Sequence, residues 1–137
     1  MAQTRFKSKS RSENGSFVAM PHRVLECEPY TRLSAKAVKL MIDLFGQFRG
    51  SNNGDLGMAW TVMKKRGWRS RDTLNKASKE LIQNGFIVQT RQGGRHHCNL
   101  FAVTWLPIDD CKGKLDCPST TVAPGYWKDG RPPNQFG

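Results

Sequence analysis

The sequence predicts a small α+β fold, and three observations predict it. Apolar residues recur at helical spacing in three segments between residues 35 and 84. A serine precedes two of these segments as an N-cap, and a glycine follows the second and third. Beyond residue 85, two runs rich in strand-forming residues flank a Gly-Gly pair, the signature of a hairpin. A chain of 137 residues is long enough for one such domain with flexible ends.

Residues 1–16 are polar, rich in Ser, Lys and Arg, and without periodicity, so they read as a disordered basic arm. From Phe17 to Leu33, apolar anchors alternate with Pro21 and Pro29, which break up any long helix. This stretch reads as an extended segment packed on the domain, with one helical turn near His22–Leu25 and His22 at the surface.

Ser34 caps a first helix, with Leu33 before it as a staple residue. Ala37, Met41, Leu44 and Phe48, joined by Val38, Ile42 and Phe45, predict that helix over 35–48. Gly50 to Asp55 form a turn, followed by a short strand over 55–57 lying beside the later hairpin. A second helix is expected over 58–66, with Trp60 and Met63 inward and Gly67 as its stop. Ser70 caps a third, basic helix within 70–84, whose buried stripe is Leu74, Ala77 and Leu81, with Ile82 at its border. Gly85 ends it. The hairpin then takes residues 86–92 and 95–105 as its arms, with Gly93-Gly94 as the turn.

Three helices followed by a hairpin is the order of a winged helix-turn-helix, in which the hairpin is the wing. The domain is expected to span 17–106, including the N-terminal segment 17–33. Residues 107–137, rich in Pro and Gly, read as a tail that wanders over the surface or is disordered. Tyr126 and Trp127 are its exception, a pair that docks either on the domain's own core or on a partner.

The net charge of +11 is unevenly placed. Residues 34–106 hold 12 Lys/Arg against 4 Asp/Glu, whereas 1–33 hold 6 against 3 and 107–137 hold 4 against 4. A basic folded segment suits a polyanion, since neutralising phosphates releases condensed counterions. The same sign excludes a mimic of DNA, which must be acidic.

The pattern therefore points to double-stranded DNA as partner. On the third helix, Arg71 and Asn75 are the candidates for base readout, because Arg pairs bidentately with guanine and Asn with adenine. Lys76, Lys79 and the hydroxyls of Ser70 and Thr73 suit phosphates, and Asp72 at the first turn is placed to orient Arg69. Arg91, Arg95 and His96 around Gly93-Gly94 have the composition of a loop that follows a phosphate backbone or enters a minor groove. Lys64 and Lys65, next to Arg66, form a third basic cluster.

Zinc-ligand residue types occur at His96, His97, Cys98, Cys111 and Cys117, but Cys111 and Cys117 stand further apart than a paired motif requires, and His96 and His97 are expected on opposite faces of a strand. No metal and no cofactor are expected. Cys27 reads as a packing residue. No Gly-rich nucleotide loop and no nucleophile–base pair stand out, so an enzyme is not expected. No apolar run of 18 or more residues and no secretory leader occur, which sets the expectation of a cytoplasmic protein with reduced cysteines.

Three stretches carry a resemblance: FVAMPHRVLECEPYTRLSAKAVKLMIDLFGQFRGSNNGDLGMAW, then KKRGWRSRDTLNKASKELIQNGFI, then RQGGRHHCNLFAVTWLPID. Across roughly residues 17–110 the chain resembles small winged-helix proteins of proteobacterial phages and other mobile elements, which are similar to the N-terminal DNA-binding parts of phage and plasmid replication proteins. The most specific pieces are Asn52-Asn53-Gly54-Asp55, Arg66-Gly67-Trp68 with Ser70, and Gly93-Gly94-Arg95. The resemblance implies a DNA binder tied to transcription or replication of such an element, a regulator or a replication accessory. The ATPase or helicase-loading domain of full replication proteins has no counterpart here, so initiation through such a domain is not implied. The competing class is a protein-interaction module that binds and inhibits a host factor, since winged helices also serve as docking surfaces.

Overall fold

A computed structural model describes residues 15–132, so the basic arm expected at 1–16 lies outside it except for Gly15 and Ser16. Within that range the chain is an α+β fold of five α-helices and a three-stranded antiparallel sheet.

Two short helices, α1 (His22–Glu26) and α2 (Glu28–Thr31), occupy the segment expected to be extended apart from one turn. Pro29 does not prevent this, because it sits in the first turn of α2, where no intrahelical N–H is required. The pair is anchored by Val24, which is fully buried, while Met20, Cys27, Tyr30 and Leu33 pack on the core.

The first long helix, α3 (Ala35–Phe45), begins as expected with the Ser34 side chain accepting the Ala37 N–H. It stops one turn before Phe48. Gln47 instead turns its side chain to Gly57, donating to its carbonyl and accepting its N–H. Phe48 still stacks on Phe45, with ring centres 5.8 Å apart. The short strand β1 (Leu56–Gly57) thus meets α3 through an amide side chain that helical periodicity cannot reveal.

Helices α4 (Trp60–Lys65) and α5 (Arg71–Gln83) follow. Helix α4 starts two residues later than expected, since Ala59 is still extended. Strands β2 (Ile87–Arg91) and β3 (Leu100–Val103) complete a sheet in the order β1-β3-β2. The main core lies between α3, α5 and one face of this sheet, with Leu40, Leu44, Leu56, Met63, Leu81, Phe86 and Val103 fully buried.

The hairpin differs from expectation in two ways. Its arms are shorter, so Gly93 and Gly94 lie inside a loop spanning residues 92–99 rather than forming a two-residue turn. That loop closes on itself: the Asn99 carboxamide accepts the Gly93 N–H and a proton from the Gln89 side chain, and Gly94 donates to the His97 carbonyl. Strand β2 also carries a bulge at Thr90, between Gln89 paired with Phe101 and Arg91 paired with Leu100. The bulged Thr90 is buried and donates its hydroxyl to the Gly54 carbonyl at 2.6 Å.

The tail departs most from expectation. Residues 107–132 neither wander nor leave the domain. They fold across the second face of the sheet, where Val88, Ala102 and Ile108 form a smaller cluster joined by Leu115, Cys117 and Tyr126. This cover explains why all four β3 residues are buried rather than alternating. Trp127, on a short 3-10 turn (Tyr126–Lys128), docks on the chain's own core.

Two residues fix how the loops meet this frame. Asn53 is fully buried, and its carboxamide donates to the carbonyls of Val103, Leu106 and Pro107 while accepting the Val103 N–H. Gly85, at φ +81°, joins α5 to β2, and a Cβ there would lie 2.5 Å from the Arg131 carbonyl oxygen. Only glycine suits that position, because the backbone is left-handed and the tail passes directly over it.

Candidate nucleic-acid interface

The candidate interface is built on the connection between α4 and α5, residues 66–70. Its geometry is set from behind by one acid, Asp43, whose side chain is 5% exposed on an otherwise apolar face of α3. Asp43 Oδ2 accepts from Lys39 Nζ at 2.8 Å and from Trp68 Nε1 at 2.9 Å, and Oδ1 accepts from the Arg66 guanidinium at 3.3 Å. Lys39 Nζ also donates to the Arg66 carbonyl at 2.8 Å. Both the main chain and the side chains of the turn are therefore tied to α3. Burial pushes the Asp43 carboxyl up, but the donors of Lys39, Trp68 and Arg66 outweigh it and hold the group below its ordinary value. The carboxylate stays ionised and the turn stays pinned.

Trp68 is the other half of this anchor. Its ring is buried, and the ammonium groups of Lys36 and Lys39 lie 5.9 and 5.5 Å from its centre. Ser34, besides capping α3, donates its N–H and hydroxyl to the Glu80 carboxylate, which ties the start of α3 to the middle of α5.

On the helix pair, Lys64, Lys65, Arg69, Arg71, Asn75, Lys76 and Lys79 are all exposed, while Ser70 and Thr73 are half-buried. The Ser70 oxygen accepts the Thr73 N–H and so serves as the cap of α5. Asp72 does not orient Arg69; it pairs with Lys76 one turn along, at 3.2 Å. Arg71, though exposed, is not a free side chain. Its guanidinium lies over the Trp60 ring, 5.5 Å from the centre. Trp60, expected inward, is half-buried and packs on the core, and only Met63 of α4 is fully buried.

In the loop 92–99, Arg95, His96, His97 and Cys98 are exposed. Arg91 is not part of an open tip. It lies at the end of β2 and donates from Nε and Nη2 to the Cys98 carbonyl, bracing the loop across its base. His96 and His97 occupy the loop rather than a strand, so they are not set on opposite strand faces as expected.

The acids near these cations are already engaged. Asp72 pairs with Lys76, and Glu80 is taken by Ser34. Among the described residues, Lys64, Lys65, Arg69, Arg71, Lys79 and Arg95 form no ion pair with a carboxylate, whereas Lys39 and Arg66 do.

The sequence reading missed Asp43, Trp68, Glu80 and Lys36. The available signal was chemical rather than periodic: an acid inside an apolar helix face, four residues after a lysine, needs a partner. Cys111 and Cys117 are both half-buried, and burial pushes both thiols up, with Asp55 and Asp109 adding to the effect at Cys111 and Asp116 at Cys117. That environment opposes the thiolate a metal requires. Among the described residues no group of three or more His, Cys, Asp or Glu is placed to hold a metal, and no helix is long and apolar enough to cross a membrane. Comparison with protein-family models, with curated proteins and with solved structures gives no match.

Proposed function

We propose that the chain is a winged helix-turn-helix protein that binds double-stranded DNA, with α5 as recognition helix and the 92–99 loop as the tip of the wing. The element order α3-β1-α4-α5-β2-β3 and the sheet order β1-β3-β2 support the fold assignment. The observation that carries the function is the set of exposed cations left without carboxylate partners on α4, the turn and α5. In this reading Lys64, Lys65, Lys79 and Arg69 contact phosphates, Arg71 and Asn75 face base edges, and Arg95 and His96 follow the backbone beside the wing. On the resemblance that the sequence of residues 17–110 suggests, the role we propose is that of a transcriptional regulator or replication accessory of a phage or mobile element.

Titration of a mixed-sequence duplex against salt tests this directly. With some six phosphates contacted, affinity falls by about three orders of magnitude between about 50 and 200 mM salt. A protein that binds no duplex even at low salt is not a DNA binder. That outcome favours the second reading, a docking module that inhibits a host protein. Ile42 on α3 and Val62 on α4, each 48% exposed, are the observation on its side.

A further inference from the structure

We propose that Trp60 is a positioning residue that pre-sets Arg71 for base recognition, a role resting on the reading that α5 faces the major groove. Trp60 opens α4 and Arg71 opens α5, so their stacking bridges the two helices at the end where a recognition helix meets base edges. The nearest acid in sequence, Asp72, is held by Lys76 and does not compete for Arg71.

The choice of an indole as partner matters chemically. A carboxylate would occupy the guanidinium's edge donors. An indole ring accepts none of them in a conventional hydrogen bond, so the fork that matches guanine O6 and N7 stays available. Holding a long side chain in one orientation also lowers the ordering cost at the moment of binding. Trp60 lies within the basic cluster itself, lining a recess of about 510 Å³ with Lys64, Gly67, Trp68 and Arg69. The indole is partly buried against the main core, and the chain beyond α4 is fixed through Arg66 and Trp68 to Asp43, so Trp60 is a held platform rather than a loose one.

The test uses the full chain and a duplex selected by the wild-type protein from a random pool, together with versions carrying one substituted base pair. Arg71→Ala first identifies the base pair that Arg71 governs. Trp60→Leu then lowers discrimination at that pair by about two- to five-fold, the range of an exposed cation–π contact. Its affinity for mixed-sequence DNA and its salt slope stay unchanged. Trp60→Phe and Trp60→Tyr retain most of the discrimination, and Trp60→Leu adds nothing to Arg71→Ala. Equal weakening on every duplex, or additive losses in the double variant, overturns the proposal.

Should Trp60→Leu fail to fold by circular dichroism, the free wild-type protein still decides the matter. The Arg71 Nε–H resonance shows a ring-current shift if the pair exists, and its absence overturns the proposal. A wild-type chain that binds no duplex defeats the DNA reading instead, and the Arg71 resonance then reports separately on the stacked pair.

Discussion

The turn between α4 and α5 and the loop between β2 and β3 are both basic, yet they are held in opposite ways. The turn is fastened to the core by charge: Asp43 gathers Lys39, Arg66 and Trp68 within 3.3 Å, behind a buried indole. The loop is fastened more lightly: within the hairpin through Asn99, the Cys98 carbonyl and one turn bond between Gly94 and His97, and to the tail by a single bond from the Gln92 N–H to Asp116. A group that reads bases must be held to a fraction of an ångström, whereas one that follows a phosphate backbone gains from adapting to it. The difference in anchoring thus divides the proposed labour between the two elements, with discrimination assigned to the helix pair and adaptable affinity to the loop.

The strongest way to break that contrast is to remove the anchor. Asp43→Ala leaves the buried Trp68 Nε1 without an acceptor, which costs about 1–3 kcal/mol. Lys39 and Arg66 are 41% and 57% exposed and return to water, so the loss stays below the range for a fully buried pair, at about 2–3 kcal/mol by urea unfolding. Acid should act in the same direction. Because the folded-state carboxyl is held below its ordinary value, its contribution is complete at neutral pH and fades as pH falls below about 4. Asp43→Asn removes that part of the acid limb; an unchanged acid limb would show that Asp43 does not anchor the turn.

Next in size, Arg71→Ala should relax sequence preference at one position by about 1–3 kcal/mol, measured on single-substituted duplexes. Lys79→Ala should weaken all sequences alike and lower the salt slope by about one. The smallest effect is expected in the loop. Arg95→Ala should reduce affinity by at most about 1 kcal/mol with no change in preference and none in stability, since an exposed charge without a carboxylate partner supports little else. If Arg95→Ala altered preference as Arg71→Ala does, the division of labour would fail.

The helices and their caps were legible because they rest on local chemistry. Ser34 and Ser70 cap the helices they precede, and Leu74, Ala77 and Leu81 bury the predicted stripe. The exposure of Lys64, Asn75 and Lys79 was legible too, because it follows from the same periodicity. What escaped notice was set by partners distant in sequence. Just past the end of α3 Gln47 pairs with Gly57, and Glu80 is taken by Ser34 across 46 positions. The residues following Trp105 look like a tail on composition alone, since only the folded sheet shows that a second face needed covering. Trp60 packs on the core as its hydrophobicity predicts, but its contact with Arg71 across the turn is a tertiary one that helical periodicity does not reveal.

The same tail has a bearing on how the molecule behaves in a crowded solution. With β3 in the centre of the sheet, β2 lies at one border, where free main-chain groups would invite a strand from another copy. Asp116 closes that opportunity at the bulge. Its N–H donates to the Thr90 carbonyl at 2.8 Å, and its carboxylate accepts the Gln92 N–H at 2.9 Å. A chain cut after residue 106 would lose this lock and uncover Val88 and Ala102 as well. Its first failure would then be self-association through the sheet border, at protein concentrations where the intact chain stays dispersed.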